Sequence, residues 1–224
     1  SDWPVAFQEE FARTLAAIHR GTDKLADVLP PRESFALSFE HDLLASLPVI
    51  AGIGPRSRPG LRALRDLMRV RGDEIRAQVE RLRHWQARIC TSPYPAVLCH
   101  TDMSGDNLLV DEHGHLYVLD WDEAVVASPE YDLKEAAGEH IGRVVEVYRA
   151  AGGAHPLEVD RFAFYLLRRY LEDLTARITS IVRDNTTQEQ DNDDLAGIEI
   201  WGFAQWNRLD AALATIATAL RDLQ

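Results

Sequence analysis

Cysteine, lysine and long apolar runs are what this 224-residue sequence has least of, and each shortage closes off a class of function. Cys90 and Cys99 are the only cysteines. Two thiols cannot make a disulfide scaffold, and with no second pair to complete a zinc site they read as core thiols. Basic residues number 24 against 36 acidic ones, for a formal charge of −12. Gripping a phosphate backbone needs clustered Lys and Arg, so nucleic acid is not the expected partner; a cationic small molecule suits the sign better, although many acidic proteins are acidic for solubility alone. No stretch is long and apolar enough to cross a bilayer, and residues Ser1 to Glu10 have neither the basic start nor the apolar centre of a secretory signal. The expectation is a cytoplasmic protein without a membrane partner. What is present is globular: 46% apolar and 27% charged residues, enough to bury one compact domain or two closely packed lobes.

Helical periodicity opens the chain. Phe7, Phe11, Leu15 and Ile18 share a face, and His19-Arg20-Gly21 supplies a stop. A second helix fits Ser34 to Leu47, ahead of Pro48, and residues 51–60 read as a connecting loop. Leu61, Met68, Ile75, Leu82 and Ile89 then recur every seven residues, the core stripe of one long helix or of two abutting ones broken near Gly72. Helices return from Leu133 to Ala150, Leu157 to about Arg183 and Leu195 to Leu223, and the acidic run 184–194 between the last two reads as a mobile loop. Trp201 and Trp206 are read as packing residues of the last helix.

Between these helical parts the pattern changes to short apolar runs: Ala96 to Cys99, Asn107 to Val110, and His115 to Leu119. They read as strands, the last two joined by Asp111-Glu112-His113-Gly114, whose Asp and Gly tolerate turn dihedrals. The expected fold is therefore mostly α with a small hairpin-and-strand sheet: residues 1–96 helical, 97–122 carrying the chemistry, 123–224 helical again.

The chemistry is concentrated in His100-Thr101-Asp102-Met103-Ser104-Gly105-Asp106-Asn107 and in Leu119-Asp120-Trp121-Asp122. An Asp just after a strand and an Asn five residues later can aim one carboxylate at a substrate hydroxyl while the Asn carbonyl oxygen faces a magnesium ion. The strand after the hairpin brings Asp120 beside Asn107 as a second ligand. Magnesium keeps waters and substrate phosphates in its shell, so one Asn and one Asp suffice from the protein.

The pattern His-x-Asp-x-x-x-x-Asn, a hairpin, then Leu-Asp-Trp-Asp resembles the aminoglycoside phosphotransferase family, which shares its catalytic core with protein kinases. The likeness runs from Val97 to about Leu133, where Pro129-Glu130-Tyr131-Asp132-Leu133 resembles the family's Pro-x-x-Asp-Leu. It implies a kinase-like C-terminal lobe that uses ATP and Mg2+: Asp102 as catalytic base, Asn107 and Asp120 as ligands of the nucleotide's metal, Asp122 as a further acidic ligand or support. Ser104 would approach the transferred phosphate, His100 would brace the loop, and Asp132 would fix the loop or cap its helix. Gly105 and Asp106 depart from the family pattern, where Pro and a small residue are common.

Only eleven residues separate Asp120 from Asp132, too few for a protein kinase activation segment, so the acceptor should be a small molecule. An aminoglycoside or aminocyclitol cation is favoured; choline, homoserine and methylthioribose are alternatives. Glu130, Glu135, Glu139, Glu172, Asp173 and the acidic run would surround the acceptor pocket that the family builds from its C-terminal helices. The only lysines are Lys24 and Lys134, neither on a strand, and Gly52-Ile53-Gly54 lacks a strand-helix context. The glycine-rich hairpin and strand lysine of a kinase N-terminal lobe are therefore not here. That lobe would be supplied in cis or by a partner, and this chain alone should turn over slowly or not at all. A binding or regulatory module that kept the fold without the chemistry is the competing reading. The seven histidines other than His100 have no metal-ligand spacing and are read as solvent-facing or satisfied core residues.

Overall fold

A computed structural model of the chain describes residues 3–25, 28 and 30–223. Its elements in order are α1 (Val5–Arg20), α2 (Glu40–Ala51), α3 (Pro59–Ile89), β1 (Val97–Cys99), β2 (Leu108–Val110), β3 (Leu116–Val118), β4 (Val125–Ala127), α4 (Glu130–Leu133), α5 (Ile141–Ala150), α6 (Val159–Thr179), α7 (Gln188–Gly197) and α8 (Ala204–Asp222). The described chain is mostly helical, as the sequence predicts. It divides into two compact units: residues up to Ser34 with Arg88–Tyr165 and Asp210 onward, and Phe35–Ala87 with Leu166–Leu209.

In the first unit the stripe of α1 is buried where the period places it, through Phe11 and Leu15, with Ala12 and Ala16 alongside. Ile141, Val144, Val145 and Tyr148 of α5 are likewise buried, and α5 packs on α1. The strands form two separate antiparallel pairs rather than one sheet. β2 and β3 make the expected hairpin, with Leu109 opposite Tyr117. Gly114 takes φ +85°, and the Asp111 carboxylate closes the turn by accepting the backbone N–H groups of His113 and His115, both at 2.9 Å. β1 pairs instead with β4, Leu98 opposite Val126, a strand whose three residues are too short a run to announce themselves. Residues 31–33 extend that pair through Glu33 N–H to Val126 O at 2.9 Å. Val97, Cys99 and Ala127 form a small core there with Val125 and Tyr131.

Several helix boundaries differ from expectation. α2 starts at Glu40, not Ser34, because Phe35 at φ +58° and the irregular residues after it are not helical; it then runs through Pro48 to Ala51. Of the two readings the heptad stripe allows, one long helix holds: α3 is unbroken at Gly72, since an apolar stripe buried on both sides of one glycine (Leu64 and Met68 before, Ile75, Val79 and Leu82 after) outweighs its modest helix penalty. The predicted helix 133–150 is two pieces, α4 with a 3-10 turn to Ala136 and then α5, separated at Gly138 with φ +118°.

In the second unit the expected mobile loop is largely helix. Thr187 accepts the Gln190 N–H while Gln190 Oε1 accepts the Thr187 N–H at 3.1 Å, a capping box that starts α7. Asp191 is buried against Arg58 and takes a hydrogen bond from Asn185 at 3.2 Å, and a side chain at Gly60 would collide with its carboxylate. Asp194 pairs with Arg177 at 3.2 Å. Two π turns, Ser180–Asp184 and Ile198–Phe203, flank this segment. Trp206 is buried and donates to Glu74 Oε1 at 2.6 Å, as a packing residue should, but Trp201 is 53% exposed on the second π turn. Cys90 is also exposed, so only Cys99 is a core thiol.

Candidate active site

The site lies wholly in the first unit and begins where β1 ends. His100 is fully buried and Thr101 takes φ +79°, a conformation that a β-branched residue adopts only when its surroundings impose it. What imposes it is Asp132. Its Oδ2 accepts the His100 N–H at 3.0 Å and its Oδ1 the Thr101 N–H at 2.7 Å. Lys134, two residues on, donates to the Thr101 carbonyl at 2.8 Å, and Thr101 Oγ1 donates to Glu123 O at 3.3 Å.

His100 ties the loop to the hairpin. Nε2 lies 2.7 Å from Leu119 O, an acceptor only, so Nε2 carries the proton and Nδ1 accepts the Asp102 N–H at 3.3 Å. The Trp121 ring meets the imidazole edge-on with centroids 4.9 Å apart. Asp102 is half-buried and faces Asn107, whose Nδ2 donates to Asp102 O at 3.0 Å and to Asp102 Oδ2 at 3.1 Å. Turning that amide over would set its oxygen against two acceptors, so the network fixes Oδ1 as the atom directed elsewhere. The Leu119 N–H bonds to Asn107 O at 2.9 Å, which delivers Asp120 one residue beyond Asn107's partner. Asp120 is exposed at φ +57°, and Asp122 is exposed on the following turn.

Behind the loop is a dry polar core. His19 of α1, fully buried, bridges Asp132 Oδ2 at 3.1 Å and the Tyr148 hydroxyl at 2.7 Å. Burial by itself would raise the Asp132 carboxyl, but the His19 hydrogen bond and charge, with the Thr101 and His100 N–H groups, hold it below the usual carboxylate range. Tyr148 is driven the other way by burial. His19, Cys99 and Asp132 bring their donor atoms within 4.8 Å of one another. Burial pushes the Cys99 thiol well up, and the thiol donates to Ser128 O at 3.4 Å, so each of the three side chains has a protein hydrogen-bond partner within this dry cluster.

The structure thus brings His100, Asp102, Asn107 and Asp132 into one hydrogen-bonded network, with Asp120 placed beside it by strand register. Ser104 joins through its carbonyl, which accepts the Asn107 N–H at 3.1 Å. Glu130 does not belong to an open acceptor pocket: it is fully buried and accepts the Glu158 N–H at 2.7 Å. Glu135, Glu172 and Asp173 pair with Lys134, Arg168 and Arg169 respectively. His19, Tyr148 and Lys134 are supporting residues that the sequence reading missed. For His19 a signal existed, since it continues the buried Phe11–Leu15 stripe at the next four-residue step.

Residues 4–164 match the family model described as "Phosphotransferase enzyme family". Among solved structures, a spectinomycin phosphotransferase in complex with ADP and spectinomycin matches with TM-score 0.73 at 17% identity, over 89% of this chain and 62% of that one. An aminoglycoside phosphotransferase from Alicyclobacillus acidocaldarius matches with TM-score 0.59 at 16% identity, over 98% and 68%. The choline kinase LicA from Streptococcus pneumoniae matches with TM-score 0.50 at 15% identity, over 94% and 64%. At such identities the likeness is one of fold. The chain spans about three fifths of the spectinomycin enzyme's length.

Proposed function

Because this chain belongs to the phosphotransferase enzyme family, we propose that it carries the catalytic centre of an ATP-dependent kinase acting on a hydroxyl of a small molecule. The observation that carries the reading is the Asn107 amide: both hydrogen bonds from its Nδ2 go to Asp102, which steadies the base and turns Oδ1 away as a hard oxygen donor. A neutral amide oxygen and the exposed carboxylates of Asp120 and Asp122 are a donor set suited to Mg2+, which when bound would neutralise charge on the nucleotide phosphates.

The chain's own residues do the rest by positioning. Asp102 takes the proton of the acceptor hydroxyl as that oxygen bonds to the γ-phosphorus and the bond to the leaving ADP oxygen breaks. Asn107 and the His100–Leu119 bond fix where Asp102 stands. His100 remains in one tautomer throughout, because its Nε2–H is committed to a carbonyl. Ser104, at the turn before Asn107, is assigned to the transferred phosphate.

Lys134 is buried against Thr101 and so is not available to the nucleotide phosphates. Their lysine and the nucleotide's second wall would come from an N-terminal lobe, supplied in cis or by a partner chain. The charge of −12 and the fold shared with a protein solved with spectinomycin favour a cationic amino-sugar-like acceptor.

The test is ADP release by the full polypeptide with ATP, Mg2+ and a panel of spectinomycin, amino-sugar alcohols, choline, homoserine and methylthioribose. One acceptor should stimulate release, and Asp102→Ala should cut that rate by about a hundred- to ten-thousand-fold. Undiminished transfer by Asp102→Ala would refute the base assignment. Ready turnover by residues 1–224 alone would refute the half-site reading.

A further inference from the structure

Among the described residues, Lys134 is the one lysine or arginine buried in the catalytic-loop network, only 4% exposed, and the proposed chemistry gives it no part. Its Nζ donates to Thr101 O at 2.8 Å and to Glu135 Oε1 at 2.6 Å, and it lies over the Tyr131 ring, 5.0 Å from the centroid. An ammonium so engaged has no freedom to turn toward anything else.

We infer that Lys134 is a positioning residue for Asp102, acting through the Thr101 carbonyl to hold the peptide that carries Asp102 in a left-handed turn. The geometry is a clamp on one peptide plane. Its carbonyl is held by Lys134, while its N–H, that of Asp102, is held by His100 Nδ1 at 3.3 Å. The preceding N–H is held by Asp132 Oδ1 at 2.7 Å. One helical turn, Asp132 to Lys134, therefore grips both sides of Thr101, the residue at φ +79°. Without the ammonium the Thr101 carbonyl loses its buried donor, and a threonine freed to relax leaves this region of backbone space, taking the direction of Asp102 with it.

The catalytic meaning rests on the function proposed above, but the clamp itself does not, and the test separates them. Hydrogen exchange of individual amides is measured on this chain. Lys134→Met keeps the stem and removes the charge; the Asp102 amide should then exchange at least about tenfold faster while Leu15 in α1 changes by less than about threefold. Glycine adopts positive φ freely, so in a Thr101→Gly background the same substitution should move the Asp102 amide by less than about threefold. In the full polypeptide with an acceptor identified, Lys134→Met should lower kcat about tenfold with the KM for ATP unchanged, again only when Thr101 is present.

If Lys134 merely balances charge, the change will spread over the whole unit and be equal in both backgrounds, which overturns the proposal. So does an Asp102 amide that does not respond, or a Lys134→Met chain that fails to fold in both backgrounds. A variant that folds only with Thr101→Gly is the expected result in its strongest form. If no acceptor is found, the kinase reading fails while the exchange measurement still decides the clamp.

Discussion

Aspartates gather in two stretches of this chain, and the two use them oppositely. In residues 100–132, Asp132 is buried to hold backbone amides at an unfavourable dihedral, Asn107 is spent on steadying Asp102, and Asp120 and Asp122 are left facing solvent. In residues 184–194, Thr187 and Gln190 cap a helix, Asp191 is buried against Arg58, and Asn185 bridges Asp191 and Asp194 at 3.2 and 2.9 Å. The second stretch pairs its Asp191 and Asp194 carboxylates, with Arg58 and Arg177 as well as with Asn185, and makes regular structure. The first stores strain and leaves carboxylates aimed outward. Density of polar residues does not separate the two; what separates them is whether the carboxylates are paired or left facing solvent.

The largest expected effect tests the first stretch. Asp132→Ala strands the His100 and Thr101 amides and His19 in a dry core, and should cost about 3–5 kcal/mol in urea denaturation. Asp132 also sets an acid limit. Its carboxyl is held below its ordinary value of 3.8, so its stabilisation is complete above that pH and is lost as pH falls through the folded value. Asp132→Asn should abolish this acid-dependent part of the stability curve; an unchanged curve would place the acid limit elsewhere.

Next in size is Glu130, which marks the cost of a carboxyl that the fold buries. Burial pushes it up to about 7 against the pull of the Glu158 N–H, Ser128 and Arg161. Between its ordinary 4.5 and about 7 the folded state holds a proton that the unfolded state has released, so stability should fall as pH rises through that window and level off above it. Glu130→Gln should flatten this slope and gain on the order of 3 kcal/mol at pH 8. A slope that survives the substitution would mean that another group titrates.

The smallest effect sharpens the other side of the comparison. Thr187→Ala removes the cap of α7 and should cost about 1 kcal/mol, with faster hydrogen exchange in the first turn of α7. If residues 184–194 were a mobile acidic loop, the substitution would change nothing.

Much of the candidate site could be read from the sequence, because it is local. Asp102 to Asn107 is one turn between strands, and the hairpin from Leu108 to Val118 fixes by register where Asp120 emerges. The helical stripes of α1 and α3 were likewise written in their periods. The capping box Thr187-x-x-Gln190 was equally local, but it was masked by the acidity around it. β4, by contrast, is three residues whose identity as a strand depends on β1 lying beside it.

The sequence by itself determined the candidate site residues: a carboxylate and an amide on one loop and two further carboxylates after a tight turn, at spacings set by both. The tertiary structure decided which polar groups would be denied water. His19 and Asp132 meet across 113 residues of chain, and the burial of Lys134 and Glu130 follows from the helices and strands packed around them. Spacing is a property of covalent geometry and short-range dihedrals, whereas desolvation depends on everything that folds nearby. That is why the candidate site residues are legible in the sequence and the buried groups packed behind them are not.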